Sequence, residues 1–263
     1  MSEDTTAFYN DLAEHYHLIF EDWDLSIERQ ARVLGPLLES WAGPAPLKVL
    51  DCSCGIGTQT IGLARLGHTV VASDASDAAV RRAERETARR GLAVQFHVAD
   101  MRALSSLPES DFDAVVAADN SLPHLLSDDD LALALNGVAT RLRPEGVFVA
   151  TIRDYDNLLE TRPAFLGPSF YSDNGRRRIV HQVWDWQGNE YTVHLHLAWE
   201  TGSSWVTKHY ITRYRALKRR EFSQILATGG FYRIEWLMPE STGLYQPVVI
   251  ARKEGHSPQE GSN

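Results

Sequence analysis

Asp51-Cys52-Ser53-Cys54-Gly55-Ile56-Gly57-Thr58 follows a short apolar run, Val49-Leu50, and opens a helical pattern. Glycines in such a turn let the backbone approach a ligand closely, and the helix start offers free N–H groups. The third glycine of a dinucleotide fingerprint is missing, since Gln59 and Thr60 follow, and so is the Lys-Ser/Thr ending of a phosphate-binding loop. An NAD-linked reductase is therefore disfavoured. Asp74 ends the next apolar run, where a carboxylate can accept both hydroxyls of a ribose. Asp100 follows the third run, where a carboxylate could accept from an adenine amino group. Taken singly, each Asp is as readily a helix cap or a loop residue. Together with the glycine turn they stand at the carboxyl ends of three consecutive strands, where open α/β sheets bind ligands. The set fits an adenosine compound with no pyrophosphate to cradle.

The elements that position these residues are legible from periodicity. Residues 8–40 carry apolar positions at three- and four-residue spacing, predicting helices. The Gly43-Pro44-Ala45-Pro46 stretch breaks them. Strands are then expected at 48–51, 69–73, 93–98, 113–118 and 146–153. Helices are expected at 57–66, 76–90 (capped by Ser76 or Asp77) and 127–142. Such alternation implies a mostly parallel sheet with helices on both faces. After Asp154 the period changes to two, over 178–186, 191–200 and 205–214. Tyr191, Val193, Leu195, Leu197 and Trp199 share one face, and Gly188-Asn189 reads as a hairpin turn. A helix at 219–227 and strands at 232–237 and 246–251 complete the chain. The expected organisation is helices over 1–43, a core over 44–153 and 206–253, an antiparallel lobe over 154–205, and a disordered tail over 254–263. Residues 1–6 are also expected to be disordered.

Composition bounds the function. The 263 residues carry 26 Lys plus Arg against 35 Asp plus Glu, a formal charge of -9. That balance argues against a nucleic-acid binder. No apolar run reaches a membrane span, and the polar, acidic N-terminus is unlike a signal peptide. Cys52 and Cys54 are too few and too close for a disulfide framework. A reduced, cytoplasmic protein is the expectation. His181, His194, His196 and His209 all fall in the meander without cysteines or carboxylates at ligand spacing, so a half-solvated strand face is expected and no metal. The short basic runs 176–178 and 218–220 read as solvated. Ser121 lacks the Gly-x-Ser-x-Gly surroundings of a hydrolase.

Residues 47–153 resemble a class I S-adenosylmethionine-dependent methyltransferase, through the glycine turn, Asp74 and Asp100. Within that class, Asp119-Asn120-Ser121-Leu122-Pro123-His124-Leu125 resembles the Gly-Asn-Ser-x-x-His-Leu stretch of the glycine/sarcosine N-methyltransferases. Ile152-Arg153-Asp154-Tyr155-Asp156 resembles their Arg-Asn-Tyr-Asp stretch, and the aromatic-rich lobe is similar in length. The resemblance implies a Rossmann-like, seven-stranded, mostly parallel sheet, N-terminal lid helices and an antiparallel lobe inserted after the fifth strand. It implies S-adenosylmethionine as cofactor, with cofactor contacts at Asp51, Cys54, Gly55, Gly57, Asp74, Ala75, Asp100, Met101, Asp119, Asn120 and Tyr16. It implies that Arg153 holds the carboxylate of an amino-acid acceptor, with Tyr9, Tyr171 and Tyr214 around that acceptor. Asn120, His124 and Tyr171 are implied at the transfer centre.

Two departures bear on the acceptor. Asp119 replaces a glycine and adds a charge near the donor site, and residues 15–23 look more like the lid helices of bacterial small-molecule methyltransferases, including those acting on amino sugars. The leading expectation is methyl transfer by in-line displacement to the amine of a small molecule, a glycine-like amino acid or related carboxylated amine. The alternatives are N- or O-methylation of a larger metabolite, such as an amino sugar or natural-product precursor, and non-catalytic binding of the cofactor. Glycine-type relatives also suggest a homo-oligomer.

Overall fold

Apolar runs bounded by turn residues become two sheets in the computed structural model, which describes residues 3–173 and 175–255. The chain begins with α1 (Glu3–Leu12), a 3-10 turn (Tyr16–Ile19) and α2 (Trp23–Ala42). Strand and helix then alternate through β1 (Lys48–Asp51), α3 (Thr58–Arg65), β2 (Thr69–Asp74), α4 (Asp77–Arg89), β3 (Gln95–Val98), β4 (Phe112–Ala117), α5 (Asp128–Arg141) and β5 (Leu142–Thr151). A short α6 (Tyr155–Thr161) leads into β6 (Phe165–Asp173), β7 (Arg176–Gln187), β8 (Glu190–Thr201) and β9 (Ser204–Arg215). The chain returns through α7 (Arg219–Thr228), β10 (Phe231–Leu237), α8 (Pro239–Thr242) and β11 (Val248–Lys253).

Seven strands form one sheet in the order β10-β11-β5-β4-β1-β2-β3, parallel except for the pairs made by β11. The order reverses between β1 and β4, and such a switch point opens a crevice at the carboxyl ends of the strands. Both faces are covered: on β1, Val49 packs into one layer and Leu50 into the other, each fully buried. This explains why the strands read as continuous apolar runs rather than alternating ones. Helix starts are fixed by side chains. Asp22 accepts from Leu25 N–H at 2.9 Å, Ser76 from Ala79 N–H at 3.1 Å and Ser127 from Asp130 N–H at 3.1 Å; of the two residues considered for α4, Ser76 is the cap.

The second sheet is antiparallel, β6-β7-β8-β9. Its inner face carries Tyr191, Val193, Leu195 and Leu197, all buried, as alternation predicts. Two of its features differ from the sequence expectation. β6 is a fourth strand that alternation missed, because Gly167-Pro168 interrupts it and its register against β7 shifts between Leu166 and Ser169. β9 runs unbroken from Ser204 to Arg215, so a lobe boundary at 205 falls inside a strand. At the N-terminus, Glu3–Thr6 are not disordered but form the first turn of α1, with acidic Glu3 and Asp4 suited to the helix start and Thr5 buried. Of the expected tail, Glu254 and Gly255 are held by backbone N–H bonds to Gly230 and Glu145; residues 1–2 and 256–263 lie outside the described residues. Among the described residues no helix is long and apolar enough to cross a membrane.

Candidate active site

The glycine turn is held by its own carbonyls and by Asp74. Gly57 N–H donates to Cys54 O at 2.8 Å, and Gly55 N–H donates to Asp74 Oδ2 at 2.9 Å. Gly55 and Gly57 have φ of 51° and 97°, the left-handed region that favours glycine. The second oxygen of Asp74 accepts from Ser76 N–H at 2.9 Å. Burial pushes the Asp74 carboxyl above its usual value despite these backbone donors. Each oxygen keeps a lone pair, so two ribose hydroxyls would complete its shell. Asp51 is fully buried and accepts from Thr60 Oγ1 at 2.6 Å, but among the described residues its Oδ1 has no hydrogen-bond partner. Burial pushes its carboxyl up to about 7.

Across the turn, the loop after β4 adopts an unusual backbone. Asp119 and Asn120 have φ of 53° and 65°; Asp and Asn are among the few residues that tolerate this region. The glycine of the resembling stretch therefore corresponds to a position with a real conformational demand. Asp119 N–H donates to Thr151 Oγ1 at 2.8 Å, and Asn120 N–H to Thr151 O at 3.0 Å. The Asp119 carboxylate accepts from Gln59 Nε2 at 2.9 Å and Tyr245 OH at 2.6 Å. Asn120 Oδ1 accepts from Arg153 N–H at 3.0 Å and Tyr155 OH at 2.9 Å, and among the described residues its buried Nδ2 has no partner. Orphaned atoms on Asp51 and Asn120 flank the same turn and fit a ligand that carries both donors and acceptors.

His124 is 2% exposed. Its Nδ1 lies 3.0 Å from Arg213 O, which only accepts, so Nδ1 carries the hydrogen and Nε2 accepts from Tyr9 OH at 2.8 Å. Burial, with the nearby Arg153 charge, pushes the imidazole down to about 3. It is neutral across the physiological range.

Arg153 sits in an aromatic cage. Its guanidinium lies 4.8 Å from the Trp184 ring, 5.0 Å from Tyr214 and 6.0 Å from Tyr191, and Nη1 donates to Tyr191 OH at 2.6 Å. Burial alone would weaken its hold on a proton, but the oxygens of Tyr191, Tyr155 and Tyr214 more than offset this, so the cation is retained. Asp154, next in sequence, is committed to Arg219 at 2.7 Å, as is Asp156 at 3.2 Å. Among the described residues no carboxylate pairs with Arg153.

Two connected spaces result. A narrow cleft of about 30 Å³ is bounded by Tyr9, Tyr16, Cys54, Gly55, Asp74, Asp119 and His124. It meets a wide cavity of about 660 Å³ at Tyr9, Tyr16 and Asp119. Arg153, Tyr171, Trp184 and Tyr214 line the wide cavity, roofed by Phe8, Leu12, Ile19 and Phe20 from the N-terminal segment. Asp51, Gly57 and Asn120 back the cleft without lining it, and Ala75, Asp100 and Met101 stand outside it beside β2 and β3. Asp100 is engaged by Arg102, whose guanidinium lies 2.8 Å away and whose N–H donates at 2.9 Å. Burial raises this carboxyl, but those bonds outweigh it and hold it down to about 2. Met101 is buried in the core. Tyr171 lies in the wide cavity only, under the Arg178 guanidinium at 4.9 Å.

Sequence reasoning missed several members of this site. Ser53 Oγ donates to Ser121 Oγ at 2.9 Å and ties the two loops together. Gln59 and Tyr245 hold Asp119, and Tyr155 and Tyr191 stand beside Arg153. Alternation put Tyr191 on a shared apolar face, but nothing in it says that the face looks into a cavity. The histidines form a ladder on the outer face: His181 on His196 at 4.7 Å and His196 on His209 at 4.4 Å. His194 bonds to Asp185 and His209, each at 3.0 Å. Among the described residues no group of three or more His, Cys, Asp or Glu is arranged to hold a metal ion.

Comparison with known proteins agrees with this geometry. Residues 49–146 match the family model described as "Methyltransferase domain". The glycine/sarcosine N-methyltransferase of Parasynechococcus marenigrum is 32% identical over 139 residues, 53% of this chain and 48% of that protein. The chain spans about half the length of the curated relatives it matches. An S-adenosylmethionine-dependent methyltransferase from Clostridium acetobutylicum superposes with a TM-score of 0.74 at 18% identity, over 94% of this chain and 99% of that one. The amino pentose methyltransferase CalS10 from Micromonospora echinaspora, solved with S-adenosylmethionine bound, superposes with a TM-score of 0.69 at 18% identity, over 86% and 91%. These two share the fold. Residues 49–146 thus match a methyltransferase domain, in a fold shared with S-adenosylmethionine-dependent methyltransferases. Over about half of its length the sequence is similar to the glycine and sarcosine N-methyltransferases.

Proposed function

We propose that the protein is an N-methyltransferase acting on a small carboxylated amine, with a glycine-like amino acid as the simplest member. The observation that carries this reading is Arg153: a buried cation with no carboxylate partner among the described residues, facing a cavity that joins the narrow cleft. A guanidinium fork binds a carboxylate through two parallel bonds, and the aromatic cage holds the fork in place. S-adenosylmethionine, when bound, supplies an electrophilic methyl group on sulfur.

The chain's own residues do the rest. Asp74 accepts the ribose hydroxyls, the Gly55–Gly57 turn allows close approach, and Asp51, Asp119 and Asn120 offer polar atoms around the turn. Asp100 remains the proposed acceptor for the adenine amino group, shared with Arg102. Arg153 fixes the acceptor, so that its amine is presented at the Tyr9–Asp119 junction of the two spaces. Such alignment is worth roughly 7–11 kcal/mol when complete. The amine must be neutral to attack, and the apolar roof favours the neutral form by excluding water. His124, at about 3, is too weak a base to keep the amine's proton. Its role in this reading is to accept from Tyr9 OH and hold that ring at the junction. Tyr214 and Tyr171 shape the acceptor's surroundings.

A second reading, methylation of a larger metabolite at N or O, is favoured by the volume of about 660 Å³, far more than glycine fills. It is also in keeping with the fold shared with an amino pentose methyltransferase. A cytoplasmic setting is part of the proposal and rests on two free, buried cysteines. So is a homo-oligomer, supported by the outer face of the second sheet, where Phe165 and Phe170 are 70% and 71% exposed. Neither nucleic acid nor membrane is proposed as a partner.

The test is S-adenosylhomocysteine release from S-adenosylmethionine across a panel of amines: glycine, sarcosine, larger amino acids and amino sugars. Turnover with carboxylated members supports the first reading. Turnover confined to amino sugars or alcohols supports the second. Binding of S-adenosylhomocysteine with no turnover across a wide panel would favour a non-catalytic binder.

A further inference from the structure

We propose that Arg178 is a positioning residue that clamps residues 18–21 onto the antiparallel sheet and thereby sets the roof of the wide cavity. This rests on the reading that the wide cavity receives the acceptor. Arg178 is on the inner face of β7 and is 4% exposed. A buried arginine normally spends its fork on carboxylates. Here Nε donates to Leu18 O at 3.0 Å, and Nη2 donates to Phe20 O at 2.6 Å and Glu21 O at 2.8 Å. Among the described residues its one carboxylate partner is Asp173, which pairs with Nη1 and is half exposed.

The three carbonyls end or follow the 3-10 turn Tyr16–Ile19, where backbone acceptors run out of intrahelical donors. One planar group collects all three, which a point-like ammonium cannot reproduce. The segment so fixed supplies Ile19 and Phe20 to the roof, while Tyr171, under the guanidinium, and Val180, two residues along β7, belong to the wall. Arg178 therefore joins roof to wall across a sequence separation of 160 residues or nearly so.

The cofactor side of the N-terminal segment is held by other contacts. Ser76 Oγ donates to Asn10 Oδ1 at 2.7 Å, Arg82 pairs with Glu14 at 3.1 Å, and Trp23 Nε1 donates to Thr58 Oγ1 at 2.9 Å. Loss of the clamp is thus expected to loosen the acceptor roof and spare the cofactor cleft.

The experiment compares the intact protein with Arg178→Met and Arg178→Lys by hydrogen exchange, by calorimetry with S-adenosylhomocysteine, and by acceptor kinetics. The Met variant should exchange amides in residues 17–22 about tenfold faster, with peptides from α4 and β8 unchanged and the Lys variant intermediate. Affinity for S-adenosylhomocysteine should stay within about threefold, while KM for the best acceptor of the panel rises about tenfold at nearly constant kcat. Unchanged exchange in residues 17–22 would overturn the clamp, and faster exchange with an unchanged KM would overturn its positioning role. If the Met variant exchanges throughout the molecule, the Lys variant decides by the same two criteria. Absence of turnover by the natural sequence would count against methyl transfer alone, and the exchange comparison would still decide the clamp.

Discussion

Arg153 and Asp51 are both buried ionisable groups with no oppositely charged partner among the described residues, and they make opposite predictions. Arg153 meets tyrosine oxygens and ring faces rather than a carboxylate. Its replacement by Ala should raise acceptor KM about 30-fold or more, the effect of losing a charge-assisted fork worth roughly 2–3 kcal/mol. Affinity for S-adenosylhomocysteine, measured by calorimetry, should change less than about threefold, since Arg153 does not line the narrow cleft. Equal losses for both ligands would remove the anchor role. Asp51 instead couples the site to stability. The folded protein keeps its carboxyl protonated up to about pH 7, whereas an unfolded chain releases that proton near pH 3.9. Between those values the folded state binds more protons, so this group makes stability fall as pH rises, by at most about 1.4 kcal/mol per unit. Asp51→Asn removes the titration, and the amide oxygen can still accept from Thr60. Urea midpoints measured from pH 5 to pH 8 should therefore fall less steeply with pH in the variant than in the parent protein. Parallel curves would show that Asp51 is ionised in the folded state. Asp51 and Asp74 were legible from the glycine turn and the strand ends, and Arg153 from the resembling Arg-Asn-Tyr-Asp stretch. Gln59, Tyr155 and Tyr245 were not, since each is an ordinary helix or loop residue until folding aims it at Asp119 or Asn120.

The junction between β1 and α3 shows how an element's geometry limits the residues that can occupy it. Gly57 caps α3 with φ of 97° and ψ of 23°. A Cβ there would stand 3.3 Å from Ala83 Cβ on α4. Gly57→Ala combines the left-handed penalty of roughly 1–2 kcal/mol with that close contact. A loss of about 2 kcal/mol is expected, read as a Tm lower by roughly 4–8 °C. A Tm within about 1 °C of the parent would mean that the turn can relax without cost. This junction was legible because a doubly buried strand, two glycines and a helical period follow one another without interruption. The same logic failed where signals were short or broken. Alternation in β6 is cut by Gly167-Pro168 and its register shift. α6 is only seven residues long, with one buried side chain. The first turn of α1 was misread because its polar residues match a disordered composition, although tertiary contact buries Thr5.

On the proposed reading, charge and shape across the two sheets decide which acceptors the molecule can use. The first sheet ends in the narrow cleft, the second walls the wide cavity, and the N-terminal segment closes over both. Arg153, from the loop after β5, faces aromatic side chains contributed by β7, β8 and β9. On the proposed reading, an acceptor that fills the wide cavity carries an anion toward Arg153 and an apolar body against Leu12, Ile19, Leu166 and Leu195. Burying roughly 100 Å² of apolar surface contributes about 2.5 kcal/mol at 25 cal/mol per Å². Among carboxylated amines, kcat/KM should thus rise with the apolar body, with a phenylalanine-sized acceptor exceeding glycine by about 10–100-fold. Competition assays at equal concentrations of two amines measure that ratio directly. Preference for glycine over every larger amine would mean that the N-terminal segment settles deeper into the cavity during turnover, and that Arg153 alone selects the acceptor.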